Sequence, residues 1–98
     1  MEVKVLKVGR GELSLEIRGE TYTLLNLLQR VLLEDKNVEF AGFKIPHRLL
    51  DVANFHLRMK EGARKTAFES LFEALDRIRR ESVEFREVFE KALKEYRG

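Results

Sequence analysis

The chain has 98 residues, with 19 Lys and Arg against 17 Asp and Glu, one Pro, and neither Cys nor Trp. At this length folding buries roughly 60 to 70% of the unfolded surface, which allows one small domain over 1–98 and excludes two cores or a deep pocket between domains. Without Cys there are no disulfides, thiolate metal sites or cysteine nucleophiles, so the chain reads as intracellular and cytoplasmic.

The amino terminus, Met1-Glu2-Val3-Lys4-Val5, alternates charge with Val, so neither a signal peptide nor a membrane span is expected. Basic and acidic residues number 4 and 4 over 1–20, 6 and 4 over 21–60, and 9 and 9 over 61–98. The net +2 is thus spread thinly, and no segment concentrates the Lys and Arg that phosphate neutralisation requires. Direct nucleic-acid contact is not expected. Charged residues make up 37% of the chain against three Asn and one Gln, a bias found in proteins from hot environments.

Residues 2–8 and 12–18 read as two strands: Leu13, Leu15 and Ile17 alternate with Ser14, Glu16 and Arg18, giving one apolar and one polar face. Gly9-Arg10-Gly11 is the turn between them. A helix follows over 22–35, with Thr21 or Thr23 available as its N-cap. Val38 to Ile45 is a short strand that Pro46 stops. Ala53, Phe55, Leu57 and Met59 alternate with Asn54, His56, Arg58 and Lys60, a second strand with one face buried, and 61–65 is a loop.

From Thr66 to Arg97 there is neither Gly nor Pro, and Phe68, Leu71, Leu75, Ile78, Phe85, Phe89, Ala92 and Tyr96 recur with helical spacing. The pattern predicts one long helix. Its other face carries acid-first pairs four apart, Glu73 with Arg77 and Glu87 with Lys91 among them, which mark a solvated surface. The expected fold is α+β: a four-stranded, mostly antiparallel sheet with two helices on one face, the carboxy-terminal one long.

The helices call for a partner. The last would be about 45 Å long, whereas a globule of this size has a radius of gyration of about 13 Å, and its apolar stripe runs on to Tyr96. In the first helix Asn26, Gln29 and Arg30 form a narrow polar strip while Leu and Val cover the remaining circumference, as in a helix buried on more than one side. Apolar surface of that extent marks an interface, with an identical or a different chain.

Catalytic candidates are few. His56 lies on the polar face of a strand between Asn54 and Arg58, where a sheet-surface role is expected. His47 follows Pro46 with Arg48 and Asp51 close by, a base and carboxylate that could serve a small hydrolase or transferase. No cluster has metal-ligand spacing, and no phosphate loop, dinucleotide fingerprint or serine elbow occurs. No catalytic residue, metal or cofactor is assigned.

The stretch from Gly19 through Thr23-Leu24-Leu25-Asn26-Leu27-Leu28-Gln29-Arg30-Val31-Leu32 to Leu33, followed by Val38-Glu39-Phe40-Ala41-Gly42-Phe43-Lys44-Ile45-Pro46-His47, resembles subunit L of archaeal RNA polymerase. It also resembles the homologous small subunit of eukaryotic polymerases and the amino-terminal domain of the bacterial alpha subunit. In that family E-D-H-T-L-G-N-L-L opens the first helix and V-x-F-A-x-Y-x-x-x-H-P closes the third strand. Here Tyr22 replaces the usual His, Leu25 the Gly, Gln29 an Arg of the bacterial form and Arg48 the Pro after His47, and the turn at Glu61-Gly62-Ala63-Arg64-Lys65-Thr66-Ala67 lacks the usual Pro.

The resemblance implies a non-catalytic assembly subunit of DNA-directed RNA polymerase, a nucleotidyltransferase whose active-site magnesium belongs to a large subunit. It implies pairing with a larger subunit, called D in archaea, through the first and last helices, as a platform for the catalytic subunits. On that basis Leu24, Leu28, Leu32, Leu75, Ile78, Phe85 and Phe89 are the expected dimer contacts, and Asn26 and Arg30 candidates for touching a large subunit. The alternative is a stand-alone homodimeric interaction module.

Overall fold

In the computed structural model, residues 2–19, 22–46, 51–78 and 83–96 are described. The chain runs β1 (Glu2–Val8), β2 (Glu12–Arg18), α1 (Tyr22–Leu33), β3 (Val38–Lys44), β4 (Val52–Met59), α2 (Ala67–Ile78) and α3 (Val83–Glu95). The strands form one sheet in the order β1-β2-β4-β3, antiparallel at every junction. The last strand in sequence therefore lies inside the sheet.

Alternation sets the register. Leu13, Leu15 and Ile17 of β2 face inward beside Leu57, Phe55 and Ala53 of β4, while Ser14 and Glu16 pair with His56 and Asn54 on the other face. A one-residue slip would turn every side chain over, and two bulges absorb such slips. In β1 the register shifts between Val5 and Lys7 and leaves Leu6 exposed, so that Val3, Val5 and Val8 can all face the core. In β3 the shift lies between Val38 and Phe40 and keeps Val38, Ala41 and Phe43 inward, Phe43 stacking on Phe55 with ring centroids 6.5 Å apart. The exposed Phe40 ring lies over Gly42 on the outer face, where any Cβ would come within 2.9 Å of it.

The helices share the inner face. α1 packs against β3, α2 crosses β2 and β4, and α3 lies on β1. The core joins Leu24, Leu25, Leu28 and Leu32 of α1 to Ala67, Leu71, Ala74 and Leu75 of α2 and Phe89 and Ala92 of α3. At the start of α2, Thr66 and Glu69 form a capping box: the Glu69 amide donates to Thr66 Oγ1 at 3.2 Å, and the Thr66 amide donates to Glu69 Oε1 at 3.2 Å. Gly62, with φ +77°, takes the left-handed conformation that the turn before it needs.

The α+β class and the four-stranded antiparallel sheet agree with the sequence reading; the single long carboxy-terminal helix does not. Two helices, α2 and α3, stand in its place, and 79–82 between them lie outside the described residues. A straight helix from Ala67 to Glu95 would be about 42 Å long, more than the molecule's largest dimension of 38 Å. The physical reason is the edge strand β1, whose inner face α1 and α2 leave open. Phe89 and Ala92 bury themselves there, with Leu93 and Tyr96 half-covered beside them. Over these described residues the apolar stripe lies on the chain's own sheet.

Candidate dimerisation surface

The circumference of α1 divides in two. Leu24, Leu25, Leu28 and Leu32 are buried by the chain's own sheet and α2, whereas Thr23, Asn26, Arg30 and Leu33 are exposed, with Leu27 and Val31 half-buried at the border. Leu33 keeps 49% of its surface open. Asn26, Gln29, Arg30, Leu33 and Glu34 line a shallow concavity along this strip. On the other side of α1 a groove of about 260 Å³ runs between α1 and α2, floored by Val31, Leu32 and Ala74 and walled by Asp35, Lys65, Glu73 and Arg77.

Asp35 fixes the geometry of that groove. Its Oδ1 accepts the Asn37 amide at 2.9 Å and Asn37 Nδ2 at 3.2 Å, and its Oδ2 lies 2.7 Å from Lys65 Nζ and accepts the Ser70 hydroxyl at 3.3 Å. One carboxylate thereby ties the end of α1 to the approach to β3, to the β4–α2 loop and to α2. Lys65 also bonds Glu73, and Arg77 of α2 reaches Glu34 at 3.5 Å. Partial burial alone would raise the Asp35 pKa, but hydrogen bonds from Lys65 and Asn37 outweigh it and hold the carboxyl below the usual value. For Lys65 the hydrogen bonds to Asp35 and Glu73 outweigh desolvation and raise its pKa.

The expected contacts separate by burial. Leu24, Leu28, Leu32, Leu75 and Phe89 are core residues of this chain, 1 to 5% exposed, and offer no free surface in this arrangement. Ile78 is half-buried against the core, and the side chain of Phe85 lies outside the described residues. Asn26 and Arg30 are exposed on α1, as their place on the polar strip implied. Apolar periodicity could not separate these groups, because a helix face covered by its own sheet and one covered by a partner carry the same spacing.

His47 and Arg48 lie outside the described residues, and Asp51 is exposed with its carbonyl accepting the Gly19 amide at 3.0 Å. His56 is on the outer sheet face, as expected, and its Nδ1 shares a hydrogen bond of 2.9 Å with Ser14 Oγ across the β2–β4 register. The Asp35 network was not anticipated; Asp35-Lys36-Asn37 just after a helix was its only trace in the sequence. Among the described residues no group of three or more His, Asp or Glu could hold a metal, and no helix is long and apolar enough to cross a membrane.

Comparison with known proteins supplies the family. DNA-directed RNA polymerase subunit Rpo11 of Methanothrix thermoacetophila is 34% identical over 96 residues, covering 98% of this chain and 94% of that one. Rpo11 of Methanococcoides burtonii is 31% identical over 95% of this chain and 99% of its own length. Rpo11 of Korarchaeum cryptofilum reaches 47% identity over a shorter match, 63% of each chain. The crystal structure of DNA-directed RNA polymerase subunit L from Thermoplasma acidophilum superposes with a TM-score of 0.68 at 17% identity, covering 99% of this chain and 97% of that one, so it shares the fold. Residues 12–94 match the model of the RNA polymerase Rpb3/Rpb11 dimerisation domain, and the chain belongs to that family.

Proposed function

We propose that this chain is a non-catalytic assembly subunit of a cytoplasmic DNA-directed RNA polymerase, which pairs with a larger D-type subunit to form a platform for the large catalytic subunits. The observation that carries the reading is membership of a dimerisation family together with an α1 that leaves Leu33 half open on the strip of Asn26 and Arg30, Leu27 half-buried at its border and Val31 half-buried in the α1–α2 groove. Fully burying a Leu side chain contributes about 1.5 to 3 kcal/mol, so a partner helix laid along this strip gains most from those positions. Leu27, Val31, Leu33 and Ile78 are the contacts proposed; Leu24, Leu28, Leu32, Leu75 and Phe89 shape the surface from beneath. Phosphodiester synthesis belongs to the large subunits.

Co-expression with a D-type subunit tests the pairing. The wild-type chain should yield a stoichiometric complex, and Leu33→Asp combined with Leu27→Asp should abolish it while the free chain keeps its circular dichroism spectrum. Pairing of that variant at wild-type yield, or a stable homodimer with no affinity for the D-type subunit, would overturn the proposal.

Asn26 and Arg30 are exposed and lie beside the apolar contacts. We assign them to the next assembly step. Asn26→Ala with Arg30→Ala should leave the heterodimer intact and reduce its capture of the large subunits in a reconstitution followed by gel filtration; full capture would remove them from that role.

A further inference from the structure

Three loops meet at one end of the molecule. The Met59 amide donates to the Gly11 carbonyl and the Ala67 amide to the Arg10 carbonyl, which brings the β1–β2 turn against the β4–α2 loop. The Lys60 amide donates to the Asn37 carbonyl and the Arg64 amide to Asn37 Oδ1, which adds the α1–β3 loop. Arg10, Lys36, Lys60 and Arg64 thus share one end, all exposed and none in an ion pair among the described residues. The remaining loop cation, Lys65, is taken by Asp35 and Glu73.

Cations outnumber free carboxylates there. Of the loop carboxylates, Glu34 and Asp35 are held by Arg77 and Lys65, leaving Glu61, while Glu39 stands at the margin in the β3 bulge. Arg10, Lys36, Lys60 and Arg64 against Glu61 leave +3 among the loop charges that make no ion pair with a described residue. Among the described residues these loops therefore form a positive end, and Arg10 and Lys60 line a concavity of about 350 Å³ with Gly11, Met59, Glu61 and Gly62.

We propose that this end is a docking surface for an acidic segment of another polypeptide. The proposal rests on the chain working among other protein subunits but not on which subunit covers α1. Three observations favour carboxylates over a nucleic acid. The loops carry no aromatic ring on which a base could stack. Glu61 stands among the cations, where it would repel a continuous run of phosphates but can be bypassed by spaced carboxylates. Two of the four cations are Arg, whose planar fork pairs with carboxylates in bidentate fashion. Such a contact sets register and encounter rate more than it adds affinity, and salt weakens it.

The test uses the full chain and a fluorescently labelled Glu-Gly repeat peptide, with labelled single-stranded and duplex DNA as competing probes. Anisotropy should show the peptide bound at low ionic strength and released by salt. Arg10→Glu with Lys60→Glu, and separately Lys36→Glu with Arg64→Glu, should each weaken it by about tenfold or more. Lys91→Glu with Lys94→Glu, which removes the same charge from exposed positions on α3, should leave it within about twofold. The proposal fails if the peptide does not bind, if either loop variant binds like wild type, if the α3 variant loses as much, or if DNA binds more tightly than the peptide.

Discussion

Leu28→Ala should destabilise the isolated chain by about 2 to 5 kcal/mol, and Leu28→Asp should leave it unfolded. Leu28 is 1% exposed and sits in the contact between α1, α2 and the sheet, so truncation opens a cavity and an Asp there would be a charge with no partner. A small domain has only about 5 to 15 kcal/mol in total, and losing a third of it moves a urea midpoint visibly. Leu33, five residues on and half-exposed, should behave in the opposite way: Leu33→Asp changes stability by less than about 0.5 kcal/mol while removing a contact of the proposed interface. Equal urea midpoints for Leu28→Ala and wild type would show that α1 is not seated as described. The contrast also decides which substitutions can report on pairing, since a Leu28 variant that fails to pair has first failed to fold.

The second large effect belongs to Asp35. Asp35→Ala deprives Lys65, Asn37 and the buried Ser70 hydroxyl of their common acceptor and should cost about 2 to 3 kcal/mol. Asp35→Asn, which keeps the shape but not the charge, should cost less. The sign of the pH dependence follows from the lowered pKa. The Asp35 contribution is fully present above the unfolded value and is lost as pH falls through the folded value, which lies below the ordinary 3.8. Lys65 acts at the other end: its raised pKa means a contribution present below about 10.5 and lost as pH rises through a higher folded value. Thermal unfolding followed from neutral to acid pH should therefore show a shallower acid loss for Asp35→Asn than for wild type. Parallel curves would mean that the carboxylate is not held as the geometry states.

The sheet and α1 were legible in the sequence because their signals are local. Leu13, Leu15 and Ile17 state the face of β2, and Ala53, Phe55, Leu57 and Met59 state that of β4, without reference to anything distant. The bulges at Leu6 and Glu39 were not legible, since an extra residue in a strand leaves the composition of the run unchanged. The single long carboxy-terminal helix is not confirmed, for a related reason. Helical spacing persists from Phe68 to Tyr96, but periodicity does not record that Leu71 and Leu75 seek the middle of the sheet while Phe89 and Ala92 seek β1. Of the two sides of α1, Leu28 and Leu32 are buried by the chain's own sheet, while Leu33 stays about half exposed among the described residues. The basic end was invisible to a count by segment because its cations come from positions 10, 36, 60 and 64, which only the fold assembles.

The interior place of β4 has a consequence for how the molecule is made. β1 and β2 can pair as soon as both exist, but β3, at the opposite edge of the sheet, pairs among the described strands with β4 alone. A nascent chain that has not yet reached Val52 holds a hairpin and an unpaired strand, with the leucines of α1 lacking half the surface that will cover them. Closing the sheet requires a loop from Arg18 to Val52, a non-local step that is slow relative to hairpin and helix formation. The interval between synthesis of α1 and arrival of β4 is thus when the chain is most exposed to aggregation, and a partner or chaperone that shields α1 matters most before the second half has left the ribosome.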